Sequence, residues 1–412
     1  MEKNPEVSIV RCNETEDIET IKQSLKEAFK FLGGLTTVLR KGDRVVIKPN
    51  LLLPVSYESG ATTNPFVVEA LIELLGEIGV TRTVIAEGAV VGQNTAKCFS
   101  VCGYDEVAKR KEVPLIDLKK DEFIPLGLSS GKVVRMLKLP KTIVEADAII
   151  SVPVLKTHDC FPVSLGLKNM KGVIHERDKQ KFHLLDLAQC IVDLNKLVLP
   201  TITVIDGTVG MEGMGPVYGI PANARVLLAS FDCVAADAVG SALMGIDPYE
   251  TSYIKLASEQ GLGTADLNRI KIHGESLQSA GRKFKRISLE GILDSEDFKK
   301  HRVSLMDKGG CSGCRSVITA LIFDLYNNHQ LSRIENSTIV LGQNIDPEEI
   351  ERIEGRVICF GACTKWVKRD KDVLLPGCPP HILDVKKALG YTKDDFGNFS
   401  FLETHLKSFG WE

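Results

Sequence analysis

Over its first 275 residues the chain alternates short apolar runs with amphipathic stretches. The runs at Val45–Lys48, Thr83–Ala86, Ala148–Val152, Thr203–Ile205 and Ala224–Ala229 are rich in Val and Ile and apolar almost throughout. Strands covered on both faces have this pattern. Between them, Asp17–Phe31 and Pro65–Gly76 carry apolar residues at helical spacing. Asn64 supplies a cap, and Pro65 a first helical residue with its dihedral already set. The alternation predicts an α/β fold with a large, mostly parallel sheet over residues 1–275.

Residues 276–300 are charged and only weakly periodic, and read as a linker. A second, smaller α/β unit is expected over 301–412. Its predicted strands are Val303–Leu305, Thr338–Leu341, Val357–Phe360 and Val373–Leu375, and its predicted helices Arg315–Tyr326 and Ile382–Leu389. A length of 412 residues agrees with two units, because single cores stop growing well short of it.

Composition narrows the class. A formal charge of −3 argues against a broad nucleic-acid surface. The N-terminus lacks the apolar core of a signal peptide, and runs such as 147–155 are too short to span a bilayer. A soluble cytoplasmic protein with neither membrane nor nucleic acid as partner is expected. Disulfides are then unlikely, and clustered cysteines point to metal or catalysis.

Of the 11 cysteines, five fall at 311, 314, 359, 363 and 378. Cys311-Ser-Gly-Cys314 follows a predicted strand and opens a predicted helix; Cys363 and Cys378 each follow another strand. Loops after the strands of a parallel sheet gather at one end, where ligands bind. Four thiolates meeting there suit an iron–sulfur cluster. Gly310, Gly313, Gly361 and Gly377 allow close backbone approach to an inorganic core. A structural zinc site is the alternative, although zinc favours two close pairs and one pair is close here. Cys359, inside an apolar strand, reads as core, as do Cys190 and Cys233.

With CxxC, a GxC after a strand and PGCPP before a helix, residues 300–390 resemble the cluster-binding domain of nickel–iron hydrogenase small subunits. That resemblance implies one [4Fe–4S] cluster on Cys311, Cys314, Cys363 and Cys378. The Thr-Lys-Trp after Cys363 and the spacing of 15 to Cys378 differ from the family pattern, which keeps Cys359 as an alternative third ligand.

Polar residues collect at the predicted strand ends of the larger unit: Lys48 and Asn50, Glu87, Lys156 and His158, and Asp206. Thr62 and Thr63 precede a helix, and GLKNMKG contributes Lys168, Asn169 and Lys171. In an open parallel sheet such tips share one crevice. The lysines, with Asn50, Thr62, Thr63 and Asn169, would bind a small carboxylate or phosphate. His158, Lys156, Glu87 and Asp206 are the candidate catalytic groups, able to move protons or order a metal. His175 and His183 read as surface or core residues. The Gly-rich run 207–216 is expected as a mobile loop over the crevice. No phosphate-binding P-loop, dinucleotide fingerprint, nucleophile elbow or HExxH is present.

KPNLL, TTNP, AEGA, DAIISVPVLKTH, GLKNMKG and VIDGTVGMEGMGP together resemble the iron–sulfur-associated domain of unknown function 362, over about residues 40–275. The resemblance implies the fold and an accompanying cluster, and names no reaction. The expected function is an iron–sulfur oxidoreductase acting on a small anionic substrate, with a redox partner protein. Two alternatives stand beside it: a non-redox cluster-dependent lyase or isomerase, and an electron-carrier or assembly module without catalysis of its own.

Overall fold

The Val- and Ile-rich runs build one large twisted sheet. In the computed structural model, which describes residues 4–286 and 289–391, its main strands lie in the order Lys271–Gly274, Glu6–Arg11, Val226–Ser230, Ile202–Glu212, Ala148–Val152, Arg44–Pro49, Arg82–Glu87 and Leu115–Asp117. Every neighbouring pair along this order is parallel except those made by Val226–Ser230, which is antiparallel to both its neighbours. Two apolar cores form around the sheet. One includes Ile21, Leu25, Val67, Leu71 and Leu75, and the other Leu167, Cys190, Ile191, Leu194 and Cys233. The helix Ile18–Phe31 is capped by Asp17, and Pro65–Glu77 by Asn64, as the sequence predicts.

The first half of the run 207–216 is strand, and only its second half turns. Strand Ile202–Glu212 continues through its first half with every residue buried. The glycines serve packing there. A Cβ on Gly207 would lie 2.8 Å from the Val226 carbonyl oxygen, and one on Gly210 would lie 2.5 Å from that of Leu155. Gly-rich composition here marks strands packed too tightly for side chains.

The chain divides after Arg286, further on than the predicted boundary at 275. Phe284 is buried in the first unit, and Arg282 pairs with Glu212 at 2.7 Å. Helix Glu296–Lys300 buries Phe298 in the core of the second. Both flanks of the expected linker are therefore folded, because each carries a phenylalanine that leaves water.

The second unit is a four-stranded parallel sheet whose strands follow chain order: Ser304–Lys308, Ser337–Gly342, Arg356–Phe360 and Val373–Leu375. Helix Ser312–Asn327 follows the first strand, and helix Ile382–Ala388 follows the last.

Candidate functional site

At the carboxyl ends of the large sheet, a chain of hydrogen bonds joins four of the expected site residues to Asn169. The Lys48 ammonium donates to Glu87 Oε2 at 2.8 Å and to Asn169 Oδ1 at 3.1 Å. Asn50 donates through Nδ2 to the same Asn169 oxygen, and its Oδ1 accepts from Lys156. Lys156 also donates to the Ala61 carbonyl. Lys48 and Lys156 are sealed from solvent. Burial pushes both ammonium groups down; Glu87 opposes the shift at Lys48, while Lys168 reinforces it at Lys156. Both lysines are thus buried, hydrogen-bonded parts of the strand-tip framework.

Partly buried polar groups beside this framework come from two segments. Strand Val154–Thr157 leads into His158, Asp159 and Cys160; the short helix Gly166–Asn169 and the turn Met170–Val173 bring Lys168 and Lys171. Asp237 holds this second segment in place, accepting from the Gly166 and Leu167 backbone N–H groups at 2.6 and 3.0 Å. His158 Nδ1 lies 2.6 Å from Asp159 Oδ1. Burial, with Lys168 nearby, lowers the imidazole to about 4, so it is neutral near pH 7. The Cys160 backbone N–H donates to the same Nδ1 at 3.0 Å and to Asp159 Oδ1 at 2.7 Å, which draws the three residues together.

Lys171 shares a short hydrogen bond with His183, which burial and the adjoining lysines hold far below its ordinary range. Burial also depresses Lys168, against the pull of Asp159, and depresses Lys171 further with the help of Lys168 and Lys179. Lys179 is buried and donates to the carbonyls of Gly88 and Ala89. Sequence reasoning missed Asp159, Cys160, Lys179 and His183. The first two adjoin His158, so the run HDC was a usable signal. Nothing local marked the other two.

Three expected residues serve the framework. Asp206 Oδ2 accepts from the Asn64 backbone N–H at 2.8 Å, while its Oδ1 accepts from Thr208. The Thr63 hydroxyl donates to the Val152 carbonyl and accepts from the Asn50 N–H, tying two strand tips together. Thr62 donates to the Val55 carbonyl.

In the second unit, Cys311, Cys363 and Cys378 each follow a different strand at one end of the small sheet, and Cys314 lies in the first turn of the helix that Cys311 caps. A Cβ on Gly361 would meet the Cys314 sulfur at 3.2 Å and the Cys363 sulfur at 3.7 Å, so both flank one bare backbone position. The Cys314 thiol and the N–H groups at the helix N-terminus lower the Cys311 thiol below its ordinary range, while Cys311 raises Cys314. Cys359 is fully buried in a separate apolar cluster with Val340, Val357 and Val367. The donor set of 311, 314, 363 and 378 therefore fits a thiolate-held cluster. Among the described residues, no three of these sulfurs lie within 4.8 Å of one another. None of the cysteines among the described residues is joined in a disulfide.

No helix among the described residues is long and apolar enough to cross a membrane. Over 94% of its length the chain aligns with 81% of the lactate racemase apoprotein from Thermoanaerobacterium thermosaccharolyticum, at 12% identity and a TM-score of 0.37. A likeness at that level says nothing about chemistry. A thylakoid-associated protein of Synechocystis sp. is 26% identical over 263 residues, which are 62% of this chain and 79% of the relative. The distinctive strand-tip motifs lie in residues 45–242, the segment that matches the family described as domain of unknown function DUF362.

Proposed function

We propose that the DUF362 unit is the binding site of an enzyme acting on a small carboxylate or phosphate, with His158–Asp159–Cys160 as its reactive edge. One observation carries this reading. Burial depresses Lys48, Lys156, Lys168, Lys171 and Lys179; neighbouring lysines depress Lys156, Lys171 and Lys179 further, and the carboxylates acting on the five are Glu87, Asp159 and Glu176. Such an excess of buried positive charge is costly without an anion to offset it. Lys48 and Lys156 would hold Asn50 and Asn169 in place, while Lys168 and Lys171 would meet the anion. His158 would then move a proton or order a metal ion.

In the second unit, Cys311, Cys314, Cys363 and Cys378 would hold one [4Fe–4S] cluster. When bound, such a cluster supplies one-electron chemistry or, with an open iron, Lewis acidity. The four-thiol sheet edge supports an iron–sulfur protein. An oxidoreductase with a protein electron partner is the finer reading; the family match names no reaction to support it.

Calorimetric titration of the full chain with inorganic phosphate and with short carboxylates tests the anion site. Binding should weaken at least about tenfold, ~1.4 kcal/mol, in Lys168→Ala and in Lys171→Ala. Equal affinity in both variants and the native chain would remove the reading.

A further inference from the structure

We propose that His158, Asp159 and Cys160 bind one divalent transition-metal ion of the zinc or cobalt type. Each of the three offers a ligand atom, and those atoms all lie within 4.8 Å of one another. Among the described residues they are the group of three His, Cys, Asp or Glu side chains that closes to that distance. The side chains of His158 and Asp159 are 6% and 5% exposed, so the donors are already withdrawn from water.

The loop that carries them is held on both sides. Thr157 Oγ1 donates to the Gly213 carbonyl at 3.0 Å, and the Phe161 ring packs edge-on against Tyr253 with centroids 5.2 Å apart. Tyr253 is itself fully buried. Consecutive residues in a free loop would lose much conformational freedom on closing around an ion, whereas here the anchors have largely removed it.

The donor chemistry selects the ion. One imidazole nitrogen, one carboxylate oxygen and one thiolate sulfur suit borderline metals and disfavour calcium or magnesium, which take oxygen alone. Three protein ligands leave one tetrahedral position open, as in catalytic zinc sites. Charge agrees: a thiolate and a carboxylate together neutralise a dication. The positive charge of Lys168, beside Asp159 and Cys160, then remains for an anionic fourth ligand. The ion would occupy the crevice assigned above to a small anion, yet its three protein ligands do not need that anion.

The test uses the full chain, stripped with chelator and titrated anaerobically with Co²⁺, alongside Cys160→Ser and His158→Gln. The C-terminal thiols also take Co²⁺, so the readout is the difference between proteins. The native chain should bind one equivalent more than either variant and show additional thiolate-to-cobalt absorption in the near ultraviolet, lost in Cys160→Ser. Zinc counted by mass spectrometry after dialysis should fall by the same one equivalent. Should Cys160→Ser not fold, His158→Gln gives the same count. Equal stoichiometry and spectra in the folded proteins would overturn the proposal. Phosphate titration of the same samples separates the two ideas: its failure sinks the anion reading and leaves the metal count untouched.

Discussion

Lys48 Nζ donates to Glu87 Oε2 at 2.8 Å, and both side chains are shut away from solvent at the tips of adjacent parallel strands. The Glu87 carboxylate is further held by the backbone N–H groups of Gly88 and Leu51. A buried ion pair this well hydrogen-bonded gives positional definition more than net stability. Through Asn169 and Asn50 it sets the position of Lys156, and so the strand-tip framework.

Breaking this pair from one side should be costly. Lys48→Met and Glu87→Gln are each expected to destabilise the protein by roughly 3–5 kcal/mol, because each leaves an uncompensated interior charge. The double variant Lys48→Met/Glu87→Gln should lose clearly less than the sum. Urea unfolding of the four proteins completes the cycle, and additive losses would show that the two groups are not coupled.

Gly172 lies directly on that pair. A Cβ there would be 2.2 Å from Glu87 Oε1 and 2.7 Å from Lys48 Nζ. Gly172→Ala should therefore destabilise by about 1–3 kcal/mol and lower anion affinity. The control is Gly76→Ala on the exposed side of helix Pro65–Glu77, where an added Cβ meets nothing within 4 Å. That change should stabilise by about 0.5–1 kcal/mol. Thermal midpoints moving in opposite directions would confirm both.

The cysteine assignment is open to direct count. Anaerobically reconstituted Cys311→Ser, Cys314→Ser, Cys363→Ser and Cys378→Ser proteins should each lose iron and sulfide, while Cys359→Ser keeps the native content. If one of the four retained a full iron count, that residue would be a non-ligand and the non-redox reading with an open iron would gain. Iron lost from Cys359→Ser and kept in Cys363→Ser would exchange those two roles.

Asp206 predicts a pH dependence. Burial raises its carboxyl from the ordinary 3.8 to about 6, although Thr208 and the Asn64 N–H oppose the shift. The folded protein thus binds a proton more tightly than the unfolded chain does. That contribution to stability is fully present below pH 3.8 and is lost as pH rises through about 6. Its size is of the order of 2–3 kcal/mol. Native stability relative to Asp206→Asn, which cannot titrate, should therefore fall between pH 4 and pH 7. Cys12 and Tyr104, on which the Asp206 charge acts, are raised by burial and stay neutral throughout that range. A difference between the two proteins that is constant with pH would refute the assignment.

Asp237 should act on affinity through position. It accepts from the first two N–H groups of the short helix that carries Lys168 and Asn169. Asp237→Ala leaves both unpaired in the interior, costing about 1–3 kcal/mol. It should also weaken phosphate binding, measured calorimetrically at a temperature where the variant is folded. Unchanged affinity in the folded variant would mean that the helix holds its place without the aspartate.

Much was legible along the chain because it was local. The periodicity of Val45–Lys48 or Ala148–Val152, the caps Asp17 and Asn64, and cysteines following three strands of a parallel sheet are all written within a few residues. A parallel α/β sheet then brings strand ends together by topology alone, which is why Lys48, Glu87 and Lys156 could be expected at one edge. The first strand Glu6–Arg11 and the edge strand Lys271–Gly274 escaped notice, since a short strand at a chain end or sheet edge carries little pattern.

What only the folded chain decided was which polar groups reach the crevice and which hold it up. Lys48 takes its partners from 39 and 121 residues away, and Asp206 clamps an N–H 142 residues distant. No spacing rule along the sequence reports such pairings. The glycines of 207–210 likewise read as freedom in one dimension and as tight contact in three. Sequence alone determined the α/β alternation and the cysteine edge through periodicity and turn chemistry. Burial and partner choice depend on distant segments closing on one another, so tertiary structure turned two lysines into framework and made His158, Asp159 and Cys160 neighbours of Lys168.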